Sequence, residues 1–151
     1  TTGRVRAAMS VLNQKLKIKN KTSKALLKLL QPNEQGMIPT VIQDVKSRKV
    51  LTLGYLNRAA LARSVSEGKV YVFRRSHNRL MLKGETSGHL QLIQEVHVDC
   101  EGKSLLLVVR QHVAGCHAGY LSCYFRRLSP QGRLTVSERR LFNPKTVYRA
   151  A

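Results

Sequence analysis

The chain is 151 residues long and 42% hydrophobic, enough to build the core of one domain, with no second domain called for. Its strongest apolar run, LLLVV at residues 105–109, is strand-sized and far short of the roughly 20 residues that cross a bilayer, so no membrane partner is expected. The unusual quantity is charge: 27 lysines and arginines against 8 carboxylates give a formal net +19.

Taken in chain order, residues 1–21 show no clean period and read as an extended basic tail. Thr22 or Ser23 is placed to cap a short helix over residues 25–30, which stops at Gln31-Pro32-Asn33. From Met37 the pattern changes. IPTVIQDV alternates as a strand, SRK makes a turn, and VLTLGYL returns as a second strand, which together predict a hairpin. Asn57 caps a predicted helix over residues 58–66, closed by Gly68 in the left-handed conformation. Strands are then predicted over residues 70–74, 79–83, 89–100 and 104–111. The expected architecture is α+β, with a mostly antiparallel sheet and one main helix. A basic extension at residues 1–35 precedes the domain, which runs from residue 36 to 151 and ends in a basic segment.

Charge is unevenly spread. Residues 1–32 hold eight basic and no acidic residues, and residues 124–151 hold seven and one, whereas the middle is only mildly basic. Terminal segments of this kind suit a polyanion, with RNA the favoured partner. The candidate contacts are Arg4, Arg6, Lys15, Lys17, Lys19 and Lys21, then Lys24 and Lys28, and at the far end Arg126, Arg127, Arg139 and Arg140. With few aromatic residues and no tryptophan, such contacts would be mostly independent of base sequence. Lysines that merely keep a surface solvated are the open alternative.

The three cysteines are an odd number, and no secretory apolar region stands at the N-terminus, which argues for a reducing compartment. The basic, acid-free start resembles what remains beside a cleaved organellar transit peptide, so a mitochondrial matrix location is expected. Cys100, Cys116 and Cys123 lie 16 and 7 residues apart, with His117 after the second and Asp99 before the first. Three thiolates are the ligand count of a catalytic zinc that keeps a fourth position for water. By spacing alone they match no common zinc finger, and buried reduced cysteines remain an open reading. Lys83-Gly84-Glu85-Thr86-Ser87-Gly88 combines two glycines, a charge and two hydroxyls and would cradle a phosphate; a simple glycine turn is its alternative.

Several of these motifs occur in a telling order. GMIPTVIQD, VLTLGYLN, LKGETSG, DC, CHAG, SCY and the closing Phe142-Asn143-Pro144 with Val147-Tyr148 make the chain resemble the phosphoribosyl-AMP cyclohydrolase family from about Gly36 to Tyr148. The resemblance implies a zinc-dependent hydrolase of histidine biosynthesis that opens a purine ring between N1 and C6. It puts zinc on Cys100 of one subunit and Cys116 and Cys123 of its partner, and so implies a homodimer. His117, Asp99 and Glu101 would take part in catalysis. Arg75, Ser76, Lys83, Gly84, Thr86, Ser87 and Gly88 would hold substrate. The family's magnesium-binding acidic trio falls on Asp99, Glu101 and Lys103, and an ammonium has no lone pair to offer a cation. Met81 replaces a tryptophan, Arg74-Arg75-Ser76 replaces Ser-Arg-Ser, and His89 and Ala118 are further departures. Two functional expectations follow. The first is a cyclohydrolase-like domain recruited as a non-catalytic, RNA-contacting subunit of a large ribonucleoprotein such as a mitochondrial ribosome. The second is an active zinc-dependent cyclohydrolase.

Overall fold

The computed structural model describes residues 20–148, and the side chains from Ser23 onward. The first element, α1 (Asn20–Leu29), begins earlier than the sequence predicts and does not use Thr22 or Ser23 as its start. It is amphipathic: Lys24 and Lys28 face solvent, Leu26 and Leu27 pack against the core, and Leu30 just beyond it is buried. The segment assigned to the basic extension therefore contributes apolar surface to the domain. The helix end is held by Arg58, whose guanidinium donates to the carbonyls of Leu27 at 2.7 Å and Leu30 at 3.4 Å. A cation on otherwise orphaned C-terminal carbonyls is favourable.

The hairpin predicted from alternation is present as β1 (Met37–Asp44) and β2 (Val50–Asn57). Asp44 is buried at its turn and accepts from the Ser47 amide at 2.8 Å and the Ser47 hydroxyl at 2.7 Å. The main helix, α2 (Arg58–Glu67), follows at once. The Asn57 side chain accepts from the Ala60 amide at 2.8 Å, and Gly68 closes the helix with φ of 71°. Beyond it come β3 (Tyr71–Arg74), a 3-10 turn over Arg75–His77, β4 (Arg79–Leu82), β5 (Gln91–Val98) and β6 (Leu105–Gln111).

The main sheet has the order β2-β1-β6-β5. Its two outer pairings are antiparallel hairpins, and the central pairing of β1 with β6 is parallel, from Thr40 opposite Leu105 to Asp44 opposite Val109. The hairpins' own turns leave β1 and β6 as the strands free to meet, and the whole segment between residues 57 and 91 serves as the crossover that a parallel pair requires. One sheet face is buried: Ile38, Ile42, Leu105, Leu107 and Val109 pack with Leu61 and Val65 of α2 into a single core. β3 and β4 form a separate small hairpin.

After β6 the chain has little regular structure. A short hairpin of β7 (Arg126–Leu128) and β8 (Leu134–Val136) is followed by α3 (Pro144–Val147), and the sequence reading anticipated neither. Three-residue strands give no readable alternation, whereas α3 does carry a start signal. Asn143 accepts from the Lys145 amide at 3.0 Å, with proline in the first turn.

Candidate functional site

Between β4 and β5 the chain makes a tight loop in which Gly84 and Gly88 take φ of 87° and 80°, and the Gly88 amide donates to the Gly84 carbonyl at 2.8 Å. A side chain at Gly84 would put its Cβ 2.5 Å from the His89 carbonyl oxygen, so this position requires glycine. The loop's polar groups turn toward a cavity of about 210 Å³. Lys83, Gly84, Thr86 and Ser87 line it on one side, and His117 and Cys123 on another. Sequence elements some 40 residues apart are thus brought to one place.

The second side of the cavity belongs to the loop after β6. The Cys116 carbonyl accepts from the Gly119 amide at 3.1 Å, and the Cys116 amide donates to the Tyr120 carbonyl at 3.1 Å, closing a small turn around His117. Gly115 sits against the Leu121 carbonyl, and Lys83 reaches over to the Gly115 carbonyl at 3.5 Å. Cys123 is fixed from the sheet side, its amide donating to the Leu51 carbonyl of β2 at 2.8 Å. Cys116 is buried, Cys123 is exposed, and the two are close enough for Cys123 to act on the Cys116 thiol. Burial pushes the Cys116 thiol above its ordinary value, and the neighbouring Cys123 adds to this. A buried thiol that resists ionising, with a second cysteine beside it, is a donor pair that suits a thiophilic cation.

The third cysteine is elsewhere. Cys100 is exposed in the loop between β5 and β6, and among the described residues no trio of histidine, cysteine or carboxylate side chains gathers within one chain. Its loop is heavily self-bonded. One Asp99 carboxylate oxygen accepts from the Lys103 amide at 2.8 Å and the other from the Ser104 hydroxyl at 2.8 Å. The Ser104 hydroxyl and then the Lys103 amide hold this carboxyl below the usual carboxylate range. Glu101 is paired with the Lys103 ammonium at 2.7 Å. Gly102, with φ of 70°, lies against the end of α1 and accepts from the Gln31 amide at 2.8 Å.

The structure does not bring Arg75 and Ser76 into the cavity. They sit on the exposed 3-10 turn, where Arg75 meets Gln35 at 3.4 Å and Ser76 meets His77 at 2.9 Å, while Arg74 lines the cavity instead. Met81, which stands at the resemblance's tryptophan position, also lines it, as does Tyr148 from beyond α3. Nothing in the sequence reading assigned Tyr148 a place there. The resemblance counted Val147-Tyr148 among its closing motifs without giving the tyrosine a role, and the Asn143-Pro144 start signal marks the ordered element before it.

Of the residues expected to meet RNA, Arg4, Arg6, Lys15, Lys17 and Lys19 lie outside the described residues, as does the Lys21 side chain. Lys24, Lys28, Arg127 and Arg139 are exposed. Arg126 lies over the Phe125 ring at 5.6 Å, and Arg140 lies over Tyr120 at 5.2 Å and donates to the Ala118 carbonyl at 3.1 Å. Part of the C-terminal basic charge is therefore engaged within the fold.

Comparison with known proteins agrees with the geometry. A family profile described as phosphoribosyl-AMP cyclohydrolase matches residues 52–125. The phosphoribosyl-AMP cyclohydrolase of Chlorobium chlorochromatii is 39% identical over 127 residues, covering 84% of this chain and 93% of that protein. That of Methanosarcina acetivorans is 45% identical over 115 residues, covering 76% and 92%. A histidine biosynthesis bifunctional protein of Thermoanaerobacter pseudethanolicus is 42% identical over 125 residues, which span 83% of this chain and 57% of that longer protein. These relatives overturn the expectation of a non-catalytic, RNA-contacting ribonucleoprotein subunit. The charge of the terminal segments misled because a residue count does not say what each group touches: Arg126 lies over Phe125, and Arg140 lies over Tyr120 and on the Ala118 carbonyl.

Proposed function

Because the chain belongs to the phosphoribosyl-AMP cyclohydrolase family, we propose that it is an active cyclohydrolase that opens the purine ring of phosphoribosyl-AMP between N1 and C6. The observation that carries this reading is the convergence of the phosphate-type loop, His117 and Cys123 on one cavity. Lys83, with the Thr86 and Ser87 hydroxyls, binds a substrate phosphate, and the left-handed glycines shape the turn that presents them. His117, beside the thiol pair, moves the protons: the N1–C6 bond breaks, the water oxygen becomes the carbonyl oxygen on C6, one hydrogen goes to N1 and the other to the exocyclic nitrogen, leaving a carboxamide.

Zinc is the metal the donor set suits, held by Cys116 and Cys123 of one copy and by Cys100 of a second. When bound it supplies a water acidic enough to attack near neutral pH. The homodimer this requires is supported by an apolar groove on the uncovered sheet face, lined by Val41, Val50, Val98 and Leu106, that runs up to Asp99 beside Cys100.

Magnesium does not fit the loop at residues 99–103. Both Asp99 oxygens are engaged in loop hydrogen bonds, and the Glu101 carboxylate is neutralised by Lys103. Turnover is therefore expected to be indifferent to added magnesium. Calorimetric titration should show no magnesium heat for the native protein and a measurable one for Lys103→Asp. A native enzyme that stops on magnesium withdrawal would sink this assignment.

The experiment for the function itself is direct. Purified, zinc-loaded protein is given phosphoribosyl-AMP, and ring opening is followed by absorbance. Turnover is expected; a dimer carrying stoichiometric zinc with no turnover would refute the proposal.

A further inference from the structure

The cavity's third side is built by the end of the described chain. Residues 140–148 cross back over the loop that carries Cys116 and His117. The Arg140 guanidinium donates to the Ala118 carbonyl at 3.1 Å, and the Leu141 amide donates to the Gly119 carbonyl at 2.7 Å. The contact is close. With φ of 100°, Gly119 passes so near that a Cβ there would sit 2.5 Å from the Phe142 carbonyl oxygen and 2.7 Å from Arg140 Cγ. Phe142 then packs edge-on against His89, itself a cavity residue, with ring centroids 4.8 Å apart. The Asn143 cap and Pro144 start α3, and the chain delivers Tyr148 to the cavity, its ring 6.1 Å from Phe142.

This strap is fastened at four successive points yet leaves its last aromatic ring 39% exposed. What separates Tyr148 from the more exposed Tyr55 and Tyr124 is its place in the cavity wall, where its uncovered face is open to a ligand. In the cavity's described lining, Lys83, Thr86 and Ser87 offer polar groups beside Glu85, which is paired with Arg79, Arg74 adds a second cation, and Val72 and Met81 give an apolar wall. Apart from the imidazoles of His89 and His117, Tyr148 is the one aromatic ring among the lining residues. A flat heteroaromatic ring whose phosphate sits on the 83–87 loop has this ring as its natural neighbour.

Resting on the cyclohydrolase reading, we propose that the strap at residues 140–148 is a wall of the nucleotide site and that Tyr148 positions the purine ring by stacking against it. Arg140, Leu141 and Phe142 are positioning residues that act through Tyr148. The strap also ties the reactive loop to the ring site: Ala118 and Gly119, which hold it, directly follow His117.

The test compares Tyr148→Phe, Tyr148→Leu and Tyr148→Ala in the full chain, with AMP as the binding probe in calorimetry and phosphoribosyl-AMP as substrate. Stacking of a base on an aromatic side chain is worth about 1–3 kcal/mol, so loss of the ring should weaken AMP binding by roughly fivefold to 150-fold. Tyr148→Leu and Tyr148→Ala are expected to raise the AMP Kd and the KM by that factor, with kcat, zinc content and melting temperature little changed. Tyr148→Phe keeps the ring and restores affinity. Leucine fills space without a π face, which separates stacking from simple packing. Native AMP affinity in both ring-less variants, or failure of the native protein to bind AMP at millimolar concentration, would overturn the inference. The two readings fail separately. Native protein that binds AMP through Tyr148 but opens no ring keeps the wall and loses the cyclohydrolase assignment, whereas turnover unaffected by Tyr148→Ala does the reverse.

Discussion

On the proposed zinc site, Cys116→Ser is expected to leave a folded protein that no longer binds zinc and has lost more than about a thousandfold of its turnover, since a metal's electrostatic stabilisation of a transition state is worth several kcal/mol. The reason lies in the thiol pair. Cys116 is the buried member, and a serine hydroxyl in its place is a far poorer ligand for a thiophilic ion. Zinc per chain, measured by elemental analysis, should fall together with activity, while the melting curve shows that the fold survives. The stronger form of the experiment mixes two dead proteins. If Cys100 serves the partner's site, a mixed dimer of Cys100→Ser and Cys116→Ser copies contains one intact set of three thiols and one empty set. Random reassortment of equal amounts should then restore about a quarter of native activity. No recovery from subunits shown to exchange would mean that the three cysteines do not share a site across the dimer.

The second large effect is at Gly102. It takes φ of 70°, and a Cβ there would lie 2.5 Å from the Leu29 carbonyl oxygen, a backbone atom that cannot swing aside. Gly102→Ala therefore meets both a conformational cost and a collision, together about 2–4 kcal/mol of stability in chemical denaturation. Gly36 is the control. It has nearly the same φ, 72°, with nothing within 4 Å, so Gly36→Ala should cost only about 1 kcal/mol. The difference isolates the seating of α1 on the loop that carries Cys100. Equal costs at the two glycines would show that the contact contributes nothing. Zinc retention should drop for Gly102→Ala alone, because that loop loses its support at Gln31.

Much of this was legible in the residues, and where it was not the reasons are physical. The β1–β2 hairpin and α2 were readable because alternation and caps are local signals: Asn57 and Gly68 each act within one turn of the helix they bound. The three cysteines and the 83–88 loop were identifiable by residue type. What the sequence could not give was adjacency. That Arg74 and not Arg75 lines the cavity depends on where β3 ends, since Arg74 is its last residue and Arg75 already lies on the 3-10 turn, and that Tyr148 arrives there depends on a strap of irregular backbone. Charge counting failed for a related reason. The use of Arg58 on α1 or Arg140 on Ala118 is a matter of position, which composition does not contain.

The parallel pairing at the middle of the main sheet also has a bearing on how the protein is made. Residues 40–44 can find residues 105–109 only after most of the chain has left the ribosome, so the first hairpin must wait with one strand unpaired along its edge. Neither hairpin can be expected to persist alone, since two strands without a partner layer are marginal in water. Closure of the central pair is therefore the event that commits the molecule. Its long sequence separation puts this domain among the slower-folding small proteins, with a nascent-chain interval in which a chaperone has most to protect.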